Sequence, residues 1–152
     1  MPEENSKPII TPLLSVKNTK AAIEFYKKAF GAKETVSIES PDGVVFAELS
    51  IDGARFFLSD ESPGNSNLSP ESLGGSTTVR IELSVADPDT FARLAIAAGA
   101  REMFPVIDQD YGYRQGRIVD PFGHHWVIGR KINTGISNKD QGTVEQGIEG
   151  RI

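Results

Sequence analysis

The stretch SVKNTKAAIEFYKKAFGAK, residues 15–33, decides the fold, because the chain contains a second version of it, SVADPDTFARLAIAAGAR, at residues 84–101. Each version starts at the end of an apolar segment and continues as an amphipathic pattern of helical period. Each ends at a glycine followed by an alanine and a basic residue. Because internal repeats set the architecture of a chain, the sequence predicts two copies of one unit: a strand, a helix and further strands.

Both helices have start and stop signals. Asn18 and Asp87 are suited to cap the free N–H groups of the first turn, and Pro88 is a favoured first helical residue. Gly31 and Gly99 stand where a left-handed residue closes a helix. Apolar residues recur at helical spacing, at Ala22, Phe25, Tyr26, Ala29 and Phe30 in the first helix and at Phe91, Leu94, Ala95 and Ala98 in the second. Each helix is therefore expected to cover one face of a sheet.

The strand candidates alternate between an apolar and a polar face. Residues 44–51 and 78–85 both follow this pattern, and the turn signal Asp52-Gly53 pairs Glu48 with Phe57. We therefore predict an α+β fold, a curved mixed sheet around a concave cavity with the helices on the outer face. The predicted lining consists of Thr11, Leu13, Ser15, Phe46, Glu48, Arg55, Phe57, Ser59, Arg80, Glu82, His125 and Val127.

Composition divides the chain into four parts. Two modules at 8–60 and 77–132 are joined by a Ser/Pro/Gly-rich linker at 61–76, and residues 133–152 are expected to form a flexible tail. Within that tail, IEGR at 148–151 is similar to the recognition sequence of a processing protease. The tail is therefore either native or a remnant of an expression vector, and we assign it no function.

The composition of the 152 residues excludes several functions. No cysteine is present, which rules out disulfides, thiol catalysis and Cys-based metal sites. The net charge is -5 and no basic stripe is visible, so no nucleic-acid partner is expected. No apolar run approaches the roughly 20 residues that cross a bilayer, and the acidic start is unlike a signal peptide. We therefore expect no membrane partner and a cytoplasmic location.

The order strand, helix, three strands, repeated once, resembles the paired βαβββ architecture of the vicinal oxygen chelate (glyoxalase/bleomycin-resistance/dioxygenase) superfamily. The resemblance covers about residues 8–132. It is carried by AIEFYKKAFGA at 22–32, AEL at 47–49, LSD at 58–60, AGA at 98–100, YR at 113–114 and DPFGHHW at 120–126. It implies a homodimer in which modules from one or two chains complete each cavity.

Metal-dependent members of this superfamily place one ligand on each of four strands. The corresponding positions here are Thr11, Phe57, Arg80 and Val127. Phenylalanine and valine have no donor atom, arginine is a fixed cation, and a lone threonine hydroxyl is a poor ligand. We therefore predict no metal site and no other cofactor. Related metal-free members often carry a histidine two residues before the Glu of the third strand, where this chain has Phe46.

The polar face carries the candidate site residues. Glu48 and His125 are the candidate proton-transfer residues, because a carboxylate and an imidazole can act as general bases. The candidate ligand-binding residues are Phe46, Arg55, Phe57, Arg80, Glu82 and Arg114. An alternative is that Arg80–Glu48 or Arg55–Glu82 ion pairs merely neutralise this face. Arg114 either binds an anionic group or anchors its turn to Asp120.

Three functions remain open at this point. The first is a module that binds a small molecule without metal, like the bleomycin-resistance branch, and the acidic composition favours a cationic ligand. The second is a metal-independent or atypical lyase, isomerase or dioxygenase-type enzyme of the same superfamily. The third is an interaction protein whose concavity is a partner surface. The sequence does not separate the first two, nor does it identify the ligand.

Overall fold

A computed structural model describes residues 6–132 and 151–152. The first module comprises β1 (Leu13–Val16), α1 (Thr19–Phe30), β2 (Lys33–Glu39), β3 (Val45–Ile51) and β4 (Ala54–Asp60). The second comprises β5 (Arg80–Ser84), α2 (Pro88–Ala97), β6 (Arg101–Asp108), β7 (Tyr113–Val119) and β8 (His125–Lys131). Between them lie two short 3-10 turns, Pro63–Asn65 and Glu71–Leu73. The predicted tail lies outside the described residues, apart from its last two.

Each module forms one mixed four-stranded sheet. The strand orders are β1-β4-β3-β2 and β5-β8-β7-β6, with the first strand of each module parallel to the last and the other pairs antiparallel. The predicted α+β fold with two tandem βαβββ modules is confirmed. The first strand is shorter than the predicted segment, because β1 begins only at Leu13 and Ile9 and Ile10 are exposed.

The helix caps follow the sequence signals. The side chain of Asn18 accepts a hydrogen bond from the Ala21 N–H (3.1 Å), and Asp87 accepts one from the Thr90 N–H (3.1 Å). Gly31 has the expected left-handed conformation, with φ +65°. The second helix ends differently, because its C-cap residue is Ala98 in the right-handed conformation. The positive φ lies one residue later, at Gly99.

Strand alternation sorts the side chains as predicted. The hairpin register pairs Glu48 with Phe57 across β3 and β4. On the opposite face of the same strands, Ala47, Leu49 and Leu58 are fully buried. Burying these apolar side chains under a helix is the main stabilising contribution available to a sheet of this kind.

The apolar faces of both modules share one core. Phe30 of α1 stacks on Phe91 of α2 with ring centroids 6.2 Å apart, and Phe56 of β4 meets Trp126 of β8 at 5.4 Å. Because the two helix-covered faces point towards each other, the two polar faces point away from this core in different directions. Within the described residues, neither helix has the length and apolar composition needed to cross a bilayer.

Asp120, in the turn before β8, is a buried polar centre of this core. Its carboxylate accepts hydrogen bonds from Trp126 Nε1 (2.9 Å), from the backbone N–H groups of Phe122 (2.9 Å) and His124 (3.0 Å), and from the Tyr26 hydroxyl of the other module. Burial and the neighbouring Asp120 carboxylate raise the pKa of Tyr26, so its hydroxyl keeps its proton and donates. Asp120 therefore ties the two modules together.

Candidate functional site

The polar face of the first module is called here the first-module face. Its centre holds the Phe46 and Phe57 rings, with centroids 5.2 Å apart, and beside them Glu48. Glu48 accepts hydrogen bonds from Arg55 Nη1 (3.1 Å) and from Thr35 Oγ1 (2.7 Å), and its side chain is only 13% exposed. Four predicted site residues thus meet on this face, although the carboxylate already has two donors.

The expected ion pairs, Arg80–Glu48 and Arg55–Glu82, are not the pair that forms. Glu48 pairs with Arg55, which lies diagonally opposite it on the neighbouring strand β4. Diagonal neighbours on one face of an antiparallel pair lie within reach of a long side chain. Arg80 and Glu82 belong to the sheet of the other module and face a different direction.

The polar face of the second module, the second-module face, carries the remaining candidates. Arg80 of β5 is the register partner of His125 on the parallel strand β8, and Glu82 is the partner of Val127. A cavity of about 490 Å³ opens on this face. Its lining consists of Thr78, Val79, Arg80, Glu82, Gln115, Val127, Arg151 and Ile152.

His125 is a half-buried imidazole in cationic surroundings. Burial, followed by the charges of Arg117, Arg101 and Arg80, lowers its pKa from 6.5, while Asp120 acts in the opposite sense. The imidazole is therefore neutral at pH 7. Its Nδ1 atom is buried and has no hydrogen-bond partner among the described residues. Since buried polar atoms are normally paired, this unpaired nitrogen marks His125 as a candidate functional residue.

Sequence reasoning missed Arg117 and Gln115, which the register of β7 puts on the same face. Arg117 is the register partner of Val127, and Gln115 is that of Gly129. The buried Gln115 carbonyl oxygen accepts a hydrogen bond from the Tyr111 hydroxyl. Extending the strand alternation from Tyr113 to Val119 would have identified both residues. At the margin of the cavity, the Arg151 guanidinium lies 4.8 Å from the centre of the Tyr111 ring.

Arg114 is not brought together with the other candidates. It lies on the helix-covered side, where its guanidinium donates to Asp89 of α2 at 2.8 and 2.6 Å and to Asp108 of β6 at 3.0 Å. The bond from Arg114 lowers the pKa of Asp89. The expected contact between Arg114 and Asp120 does not form, because the buried Asp120 carboxylate already accepts four other hydrogen bonds. Arg114 instead holds α2 against the sheet.

The residues present do not fit a catalytic divalent metal ion. Phe57 and Val127 offer no donor, Arg80 carries a positive charge, and Thr11 lies outside β1. Across residues 6–132 and 151–152, no three His, Asp or Glu side chains come together as a metal-binding group.

The chain forms two mixed βαβββ sheets with helix-free polar faces, and the second-module face holds a cavity lined by arginine, glutamate and glutamine side chains. This arrangement defines the class of paired βαβββ proteins. Comparison with known proteins places the chain within this class. Residues 9–128 match the model of the Glyoxalase/Bleomycin resistance protein/Dioxygenase superfamily, and the chain belongs to that superfamily.

Individual relatives agree with this assignment. The chain is 41% identical over 132 residues to an uncharacterized protein of Mycobacterium bovis, an alignment that covers 84% of this chain and 86% of the relative. The crystal structure of TioX from Micromonospora sp. ML1 is similar, with a TM-score of 0.65 and 22% identity over 83% of this chain and all of that one. The fosfomycin resistance protein FosX from Mesorhizobium loti shares the fold, with a TM-score of 0.63 and 13% identity over 86% of this chain and 96% of that one.

Proposed function

We propose that the protein binds a small molecule on the polar faces of its sheets without the usual metal ion. The observation that carries the proposal is the cavity of about 490 Å³ on the second-module face. Buried Val127 and Gln115 form part of its lining, and charged Arg80 and Glu82 stand at its edge. A concave site with an apolar part and a few convergent polar groups is the usual form of a small-molecule site.

The binding species in this proposal is a homodimer. Both polar faces leave large apolar side chains in water, namely Leu13, Val36 and Ile38 on the first-module face and Phe104 and Ile107 on the second-module face. Such exposure is unusual unless a partner covers it. In the dimer, the first-module face of one chain covers the second-module face of the other, and each closed cavity takes residues from both chains.

The dimer is tested by light scattering on the full chain. Ile38 is 56% exposed, so Ile38→Lys leaves the fold of the chain intact but puts a charge into the interface. We expect the wild type to be a dimer at micromolar concentration and Ile38→Lys to be mostly monomeric. The matched control is Ile96→Lys on α2, which is 39% exposed and away from both polar faces. A wild-type monomer at high micromolar concentration contradicts the dimer.

Binding itself is tested by a thermal-shift screen of small acids, neutral aromatics and cationic drugs, with elemental analysis of protein purified without chelators. We expect at least one compound to raise the melting temperature. We expect elemental analysis to find less than roughly 0.1 equivalents of divalent metal per chain, because the four ligand positions supply no adequate set of donors. One equivalent of bound Ni, Zn, Mn or Fe overturns the metal-free part of the proposal. A screen without any hit overturns the binding function.

The free Nδ1 atom of His125 favours a second candidate, a metal-independent lyase, isomerase or dioxygenase-type enzyme in which this neutral imidazole is the general base. Glu48 is less suited to that role, because Arg55 and Thr35 already donate to it. The test is NMR detection of proton exchange into D₂O from an α-hydroxyketone. Exchange that is catalysed by the wild type and lost in His125→Gln supports the enzyme, and exchange that His125→Gln retains contradicts it.

A further inference from the structure

The charges on the second-module face are out of balance. Arg80, Arg101 and Arg117 all act on His125 with the same sign. None of these three arginines makes an ion pair with any residue in the described part of the chain. The whole chain has 21 acidic and 16 basic residues, so the composition alone favours a carboxylate beside every arginine. On this face the arginines have been left without one.

Arg117 shows most clearly that a partner is missing. Its side chain is half-buried, its Nε lies 3.1 Å from the sulfur of Met103, and its guanidinium carbon lies 5.6 Å from the centre of the Phe104 ring. Burial and the charge of Arg80 both lower the pKa of Arg117. Thioether and ring contacts orient the guanidinium but do not neutralise it, so its remaining N–H groups are available as donors.

The acidic groups nearby leave this imbalance in place. Glu82 is the one carboxylate on this face: like Arg117 it is a register partner of Val127, but it is exposed and is in no ion pair within the described residues. One carboxylate does not offset three arginines. Asp120 is buried beneath the sheet and is bound to Tyr26 and Trp126. The net local charge of the face is therefore positive although the chain is acidic.

The neighbouring cavity supplies donors and an apolar wall. Buried Gln115 contributes its amide group to the lining, and the carbonyl oxygen of that amide accepts a hydrogen bond from the Tyr111 hydroxyl. Val127, the register partner of Arg117, is 5% exposed and lines the cavity. Arg80 stands at the edge of the cavity.

From this arrangement we infer that the ligand of the second-module face is a small organic anion, whose carboxylate or phosphate group binds to Arg80 and Arg117 beside His125. The rest of the ligand lies in the cavity against Val127. The inference rests on the proposed function and names its ligand class. It replaces the expectation of a cationic ligand, which followed from net charge, because a ligand responds to the local potential of its cavity. Arginine suits this role, since its planar fork matches both carboxylate and phosphate oxygens.

The test uses the full chain and four probes of similar shape and different charge. Benzoate and phenyl phosphate carry the two anionic groups, benzamide is the neutral match and benzamidine is the cationic match. Isothermal titration is expected to show binding of at least one anion, at least about tenfold tighter than benzamide and benzamidine. The anion that binds more tightly identifies the group as a carboxylate or a phosphate.

Four variants locate the binding. Arg80→Met and Arg117→Met each remove one proposed contact and are expected to weaken anion binding about tenfold or more. Arg93→Met, on α2 and facing away from this cavity, removes the same charge from the chain and is expected to change binding less than about twofold. Because Arg117→Met also changes packing against Met103, melting temperatures are compared, and Arg117→Lys keeps the charge without the fork. Arg117→Lys is expected to bind between the wild type and Arg117→Met.

The outcomes separate the two proposals. Binding of benzamidine as tight as that of the anions, or anion binding unaffected by both Arg80→Met and Arg117→Met, overturns the anion site and leaves small-molecule binding standing. If none of the four probes binds while a neutral or cationic compound of the thermal-shift screen does, the anion site also fails alone. If no compound of either experiment binds, both proposals fail.

Discussion

Removing the charge of Asp120 should destabilise the chain more than the loss of any single surface ion pair. In Asp120→Asn the shape of the side chain is kept, but an NH₂ group replaces one oxygen of a carboxylate that is only 3% exposed. The two side-chain donors on Oδ2, Tyr26 and Trp126, then face a donor. The two backbone N–H groups of Phe122 and His124 keep the other oxygen.

The expected loss follows from those contacts. A hydrogen bond to a charged acceptor contributes about 1.5–3 kcal/mol, so losing two at the lower value costs about 3 kcal/mol. With a urea m-value of about 2 kcal/mol per M for a chain of this size, the midpoint falls by about 1.5 M. Urea titrations at one protein concentration measure this shift, read by the fluorescence of the sole tryptophan, which is itself a partner of Asp120.

The matched control is Asp89→Asn, an equal change of charge and shape at an exposed carboxylate bound by Arg114. Exposed ion pairs contribute little because water and salt screen them, so its midpoint should fall clearly less. If Asp120→Asn loses no more stability than Asp89→Asn, the view that Asp120 joins the two modules is wrong. A circular-dichroism transition that coincides with the fluorescence one shows that the whole fold is being measured.

Two further predictions concern the second-module face. Because the pKa of His125 is lowered in the folded state, the unfolded chain binds a proton more readily, and the free energy of unfolding should fall as pH drops below about 6.5. Urea midpoints measured between about pH 8 and pH 5 should show this fall, and His125→Gln should reduce it. Gly129→Ala should lower the melting temperature by several degrees, because the added Cβ would clash with the Cβ of Gln115. Gly64→Ala has open space around its Cβ and should change the melting temperature little. A midpoint slope that His125→Gln leaves unchanged, or equal effects of the two alanines, would contradict the respective prediction.

The sequence predicted the local structure well because local rules act over a few residues. Asn18 and Asp87 cap the helices as expected, and Asp52-Gly53 sets the register that pairs Glu48 with Phe57. The repeat predicted the order of elements in each module. Strand alternation then identified which side chains leave the core, since a strand with one buried face leaves little freedom of register.

The arrangement of the two modules could not be predicted in the same way. Alternation tells which face of a strand is polar, but it does not tell whether the polar faces of two sheets meet within one chain. The packing of Phe56 on Trp126 decides this, and it depends on aromatic contacts between residues 70 positions apart in sequence. The pairing of Glu48 with Arg55 rather than Arg80 follows directly from that arrangement.

Arg80 links the missing metal ligands to the inferred anion site. It stands at the position that the superfamily resemblance assigns to the third metal ligand, and in the structure it borders the cavity beside His125. In a metal-dependent member the positive charge at that place belongs to an ion held by the protein, whereas here it belongs to the protein itself. A guanidinium donates hydrogen bonds to an anionic oxygen but has no vacant coordination position with which to polarise it. The same location can therefore attract a similar anion while favouring binding over metal-type chemistry, and any catalysis depends on the free nitrogen of His125.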